Sequence, residues 1–230
     1  PWNRDVFLAD LESYAALGLR NITSFAAYID DEYVRNHPDL SFLREYGEGL
    51  GKAQVGPLMN PWGETCAPTE ISVSSSGEFL HFSFDVTDMD LVYAENFAYE
   101  RDLEVGDRVE IFFSKDPDMN DYECFEIDPM GHVLSYRASY YRQFDFSWEP
   151  PKDFIAKAEM TDCGYRVDVS IPMDYVDKFL SDGSLYLGLY RGDFYKEDGK
   201  IIERWYSWKN PETPKPDFHV PASLHQVTLF

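Results

Sequence analysis

Cysteine is scarce in this chain of 230 residues, and the three present, Cys66, Cys124 and Cys163, stand far apart without CxxC spacing. That pattern argues against a zinc site. Three buried thiols are expected, with one disulfide and a spare thiol as the alternative. Long apolar runs are missing too: no window approaches the ~18 residues of a membrane helix, so no membrane insertion is expected. Neither a GxSxG elbow nor a Walker loop occurs, which removes two common routes to catalysis. Positive charge is short, with 20 Lys and Arg against 42 Asp and Glu and a formal net charge of −22. So acidic a chain repels phosphate backbones, and no basic stripe with interleaved aromatics offsets this. Nucleic acid is therefore excluded as a partner, while neutral ligands, cations and basic proteins stay open. No basic start followed by an apolar stretch marks a signal peptide. The first residues, PWNRD, lack a Met, so a processed or trimmed product is expected.

Aromatic rings, by contrast, make up 17% of the chain. Residues 1–55 read as an α/β extension. FLADLESYAALG has apolar residues near helical spacing and Gly18 in the place of a C-terminal cap. A buried strand (LRNITSFAAYI) and two short helical pieces follow. This segment reads either as an extension or as the remnant of a preceding barrel domain. From residue 56 to 230 the pattern changes to period-two alternation broken by turn clusters. EISVS and FLHFSFDVT flank SSGE as a hairpin, with Leu80, Phe82, Phe84 and Val86 inward. YRVDVSI puts Tyr165, Val167, Val169 and Ile171 on one face. YECFEID, HVLSYRA, FIAKAEM, LYLGLYRG and LHQVTLF suit further strands, and MDYVDKFL after Pro172 suits a helix. Many short strands with regular turns predict a mainly β fold, a two-sheet antiparallel β-sandwich.

DRVEIFF, Asp107 to Phe113, poses the functional question. As a strand it points Val109, Ile111 and Phe113 into a core and Arg108, Glu110 and Phe112 to the other side. An acid beside rings on a sheet face makes a surface neither fully wet nor fully apolar, with a carboxylate that accepts hydrogen bonds next to flat apolar rings. The alternative is an acid paired with Arg108 or with a neighbouring strand's arginine.

DRVEIFF, YECFEIDPMGHVLSYR, GYRVDVSIPMDYV, LYLGLYRGDFYK, RWYSWKNP and FHVPASLHQVTL fall in the order found in family 9 carbohydrate-binding modules. Over about residues 57–230 the chain resembles the family-9-like domains of bacterial carbohydrate-active proteins. The resemblance implies a jelly-roll sandwich of the DOMON type and non-catalytic binding of a mono- or oligosaccharide. It also implies export to the periplasm, cell surface or medium within a polysaccharide-processing protein, with a catalytic domain as a candidate neighbour in the same parent. Carried over, Glu110 is the acid that bonds sugar hydroxyls. The family's flanking ring falls near Glu104, so the neighbouring Tyr99 is the candidate here. Its arginine falls at Glu126, so Arg137 or Arg191 is expected to supply a guanidinium, Arg191 leaving the core face if Gly192 marks a bulge. Tyr190, Trp208 and Phe218 are the further rings expected to stack on the sugar.

No cofactor is required by this reading, although the resemblance admits a structural Ca²⁺. The acid-rich turns DPDMND and TDMD offer oxygen ligands without the full EF-hand register. The 42 acids make chance pairs such as Glu110 and Glu126 inevitable, and no spacing marks a glycosidase acid and nucleophile. Two other readings stay open: the C-terminal part of a glycoside hydrolase lacking its barrel, and a haem-binding DOMON-type electron-transfer domain with His81, Met89, Met130 and His132 as the available ligands.

Overall fold

Every stretch from Gly56 onward that alternates in the sequence is a strand in the structure. The computed structural model describes residues 53–63, 68–76, 78–181 and 184–228, all within the compact unit Gly51–Leu229. The helices and strand expected over residues 6–50 lie outside the described residues. The strands are β1 (Ala53–Val55), β2 (Thr69–Ser75), β3 (Phe79–Thr87), β4 (Arg108–Ser114), β5 (Tyr122–Ile127) and β6 (Val133–Ala138). They continue with β7 (Phe144–Asp145), β8 (Ile155–Thr161), β9 (Gly164–Pro172), β10 (Ser184–Glu197), β11 (Lys200–Ser207) and β12 (His225–Thr228).

These strands form the expected two antiparallel sheets. One has five strands in the order β1-β2-β3-β9-β8; the other has seven, β11-β10-β4-β5-β6-β7, with β12 also on β10. β10 is long enough to take two partners on one edge, β12 against Ser184–Leu187 and β11 against Tyr190–Glu197. β11 was not marked by alternation, since Ile201 and Ile202 are adjacent and Ile201 is exposed. It forms because the KEDGK turn folds it back on β10. The helix expected after Pro172 is also present, as α1 (Met173–Val176) continued by a 3₁₀ turn, Asp177–Phe179.

The inward residues read from the sequence meet between the sheets. Leu80, Phe82, Phe84 and Val86 of β3 and the four inward residues of β9 are all buried there, facing Val109, Ile111 and Phe113 of β4. Phe113 joins three parts of this core, touching Phe82 across the sheets, Phe125 on β5 and Phe179 beyond α1. Phe125 in turn stacks on Phe154, with centroids 4.8 Å apart.

The opposite face of β4 is closed as well. A sheet surface open to solvent would leave Arg108, Glu110 and Phe112 wet, yet every residue of β4 is buried. A second apolar cluster covers that face. Its members include Phe112, Tyr122, Cys124, Leu134, Tyr136 and Tyr190 from the strands and Leu103, Phe218 and Leu224 from connecting segments. The seven-stranded sheet is thus packed on both sides.

Removing the ring that joins the main core should be costly. Phe113→Ala is expected to lower stability by about 3–5 kcal/mol, the usual range for deleting a fully buried phenyl group. Urea unfolding followed by far-UV circular dichroism measures it, and a loss below about 1 kcal/mol would show that the sheets do not interlock at this ring.

Candidate functional site

Alternation along β4 and the register to its neighbours place three charges side by side on the covered face. Glu110 pairs across the ladder with Glu126 of β5 on one side and Tyr190 of β10 on the other. Arg108 lies two residues before Glu110. Its Nε is 3.0 Å from Glu110 Oε1 and 2.6 Å from Glu126 Oε2. Its Nη1 donates to the carbonyls of Glu104 and Gly106. Tyr136 on β6 donates its hydroxyl to Glu126 Oε1 at 2.8 Å. Arg108, Glu110 and Glu126 are only 6%, 2% and 5% exposed.

One guanidinium between two carboxylates leaves the group a positive charge short. Burial works against the charge of Arg108, but Glu126 and Glu110 hold its pKa well above the ordinary value. Glu110 goes the other way. Burial first, then the repulsion of Glu126, push it up to about 8, with Arg108 opposing.

Rings wall this group. The Arg108 guanidinium lies 4.9 Å from the Trp205 ring centroid and 5.5 Å from that of Phe194. Phe218 stacks on Tyr190 at 4.2 Å and 14°. Two glycines on the same face of β10 make the room. A Cβ on Gly188 would collide with the Tyr190 ring, and one on Gly192 would crowd Phe194 and Trp205. Gly192 does not mark a bulge, because the register with β11 runs through it unbroken and the register with β4 reaches it without a slip.

A segment after β11 closes over these rings. Ser223 takes the Tyr190 hydroxyl at 2.7 Å and donates to the Phe218 carbonyl. The His219 ring packs among Phe112, Tyr122 and Phe144. Burial, helped by Arg142 nearby, lowers its pKa to about 3, so it is neutral over the working range. At the outer edge Asp217 fastens the segment, accepting from Tyr141 at 2.7 Å and Arg142 at 3.0 Å.

The residues expected at a sugar site divide between the two sides of the sheet. Glu110, Glu126, Tyr190 and Phe218 come together, although Phe218 spends its face on Tyr190. Tyr99 is 63% exposed and starts the 3₁₀ turn Glu100–Val105. Arg137 sits opposite Glu123 on the other face of the sheet and pairs with Asp145. Trp208 packs against the main core and His225. Arg191 also faces inward, because one residue's shift in a strand reverses the side. The guanidinium of the site is Arg108 instead. Trp205, Tyr136 and His219 were not anticipated. Alternation from Glu110 points to Arg108, and the DPMG turn sets the register that brings Tyr136 to Glu126, but nothing local marks His219.

Arg191 enters a second charged group. Asp88 in the TDMD turn, Asp107 and Asp193 each place an oxygen within 4.8 Å of the others, a spacing that a metal ion could bridge. The chemistry of the donors fits a bare metal site poorly. Arg191 Nη2 is 2.7 Å from Asp88 and 3.6 Å from Asp193. Both Asp107 oxygens accept backbone amides, those of Val92 and Phe194, and Asp193 accepts the Tyr206 hydroxyl. The other acid-rich turn, DPDMND, spends Asp116 Oδ1 on the Asp118 and Asn120 amides.

No protein-family model and no curated protein matches the chain. Solved structures do. One is a protein from Bacteroides uniformis ATCC 8492 described as carbohydrate-binding, 14% identical, with a TM-score of 0.58 over 83% of this chain and 91% of that one. Another is a family 9 carbohydrate-binding module from Caldicellulosiruptor kristjanssonii in complex with cellotriose. It is 14% identical, with a TM-score of 0.51 over 77% of this chain and 80% of the module. The expected likeness is therefore present in the fold: the chain has the sandwich of family 9 carbohydrate-binding modules.

The buried acids make stability depend on pH. Burial pushes Asp107 and Glu110 up to about 8 and Glu123 to about 7, from ordinary values of 3.8 and 4.5. The folded chain thus keeps protons that the unfolded chain has lost. This stabilisation is complete below about pH 4 and is lost as pH rises through 7 and 8. His219, lowered from 6.5 to about 3, opposes it, costing stability as pH falls between those values. Three acids outweigh one histidine. Calorimetry from about pH 5 to 9 should show the melting temperature falling, with a shallower fall in Glu110→Gln; an equal slope in the variant would mean that Glu110 is already ionised in the fold.

Proposed function

We propose that this chain binds a mono- or oligosaccharide without catalysing its cleavage. The observation that carries the reading is the Arg108–Glu110–Glu126 group. It is a charged, hydrogen-bonding base walled by Tyr190, Trp205 and Phe218, on one face of a sandwich shaped like a family 9 module. Glu110 and Arg108 offer an acceptor and a donor for neighbouring hydroxyls, and the rings offer flat apolar faces. Catalysis needs two carboxylates across a cleft that admits the glycosidic bond, and in retaining or inverting enzymes these sit ~5–9.5 Å apart. Here both acids grip one guanidinium. The proposed setting is an exported polysaccharide-processing protein, in which this domain would hold the substrate for a catalytic neighbour.

Affinity follows from the closed face. Phe218 already occupies the Tyr190 ring, and Asp217 fastens its segment to Tyr141 and Arg142. A sugar reaching Glu110 must displace that segment, so only the opened fraction of molecules binds and the apparent affinity is reduced by that fraction. Each hydroxyl contact also replaces one with water. Modest affinity is the expected result.

Isothermal titration with glucose, cellotriose and a panel of plant and host oligosaccharides tests this. Heat should appear with at least one sugar, weaken about tenfold or more in Glu110→Ala, and strengthen several-fold in Asp217→Asn, whose fastening is loosened. Binding indifferent to Glu110→Ala and Trp205→Ala would place the site elsewhere, and no heat from any sugar would end the sugar reading.

A further inference from the structure

Three carboxylates and one guanidinium are buried together away from the proposed sugar face. Asp107 and Asp193 are 0% and 4% exposed and Arg191 is 0%. Thr69 and Asp88, at the ends of β2 and β3, belong to the five-stranded side. Asp107, Arg191 and Asp193, before β4 and on β10, belong to the seven-stranded side. Arg191 Nη1 donates to Thr69 Oγ1 at 3.2 Å while its Nη2 reaches Asp88 and Asp193. Arg204 reaches Asp193 from the rim at 3.7 Å. Three acids held this close repel one another strongly where water is excluded, and a cation among them is the usual answer.

We infer that Arg191 is the resident cation of this cluster, in the place a divalent metal would otherwise take, and that it makes the junction between the sheets independent of metal. Charge and geometry both support this. A guanidinium stays protonated at any working pH and brings several fixed donors. Here one nitrogen serves Thr69 and another serves two aspartates, so one side chain spans both sheets. A calcium ion wants six to eight oxygens at roughly 2.3–2.6 Å. The oxygens of Asp107 are already turned to two backbone amides, one of Asp193 to Tyr206, and one of Asp88 to the Asp90 amide. A metal placed here would also sit against the guanidinium, a like charge at contact distance.

The same argument states what happens when Arg191 is removed. The three carboxylates remain at metal-bridging spacing, and the volume of the guanidinium becomes free for an ion and its water. Arg191→Ala should therefore create a calcium requirement that the unaltered chain lacks.

Thermal unfolding is measured for the unaltered chain, Asp88→Asn, Arg191→Ala, Arg191→Lys and Arg191→Ala/Asp88→Asn. Each is run in excess EDTA, in millimolar calcium chloride, and in sodium chloride of the same ionic strength. The unaltered chain should melt at one temperature in all three. Arg191→Ala should melt roughly 10 °C lower in EDTA and regain part of that loss in calcium but not in sodium. The double variant should lose the calcium response, and Arg191→Lys, with a charge but no fork, should lie between without one. An EDTA-induced fall in the unaltered chain that Asp88→Asn abolishes would overturn the inference, since a metal would then share the cluster with Arg191. An Arg191→Ala variant indifferent to calcium, or unable to fold with or without it, would overturn it equally.

Discussion

A guanidinium lies inside a protein at tolerable cost when carboxylates and other acceptors pair with it, and among the described residues this chain, with 42 acids, does that twice on neighbouring strands. Arg108 on β4 and Arg191 on β10 are nearly opposite in the ladder, where Gly192 pairs with Arg108 and Arg191 with Val109. Because successive side chains alternate, the two cations point to opposite sides of the same sheet. One gathers Glu110 and Glu126 beneath the aromatic cover. The other gathers Asp88 and Asp193, with Asp107 close by, where the two sheets meet. Removing either would leave unpaired charge out of water, a far larger cost than any single apolar contact returns.

The two groups differ in what they can do. Around Arg191 the partners belong to strand ends and turns of both sheets, so their role is to fix how the sheets join. Around Arg108 the partners lie on one sheet face, and the cover is supplied by a connecting segment whose fastening, Asp217 to Tyr141 and Arg142, sits at the surface. A hydrogen-bonding base beneath an aromatic cover fastened at the surface is the arrangement on which the proposed binding rests. A charged knot between two sheets is a structural one. Burial first, and a neighbouring carboxylate after it, keeps a proton on an acid in each group, which is why acidity and stability are linked through Asp107 and Glu110.

Most strands of 56–230 were legible in the sequence because their cause is local, while β7 and β11 carry no alternation. A strand facing a core on one side must alternate, and β3 and β9 do so throughout, whereas β4 does so only as far as Phe112, which the second cluster buries. The acid of the candidate site was legible for the same reason, since Val109 and Ile111 fix where Glu110 points. Its surroundings were less so. Arg191 was expected beside Glu110 if Gly192 marked a bulge, but Gly192 gives room to Phe194 and Trp205 and the strand runs straight. Trp208 looked like a stacking ring, yet it lies three positions from Trp205, an odd number, and so turns to the core.

By itself, then, the sequence determined most of the strands, the inward sets of β3, β4 and β9 and the acid-plus-arginine pair of β4, because period-two geometry and turn chemistry act over a few residues. Only the tertiary structure decided that the second face of β4 is closed, that Phe218 covers Tyr190, and that Arg191 sits among three aspartates. Those contacts join residues dozens of positions apart, such as Arg191 with Asp88 and Thr69. They exist because buried charges and rings must find partners wherever the fold brings them, a constraint that no local pattern encodes.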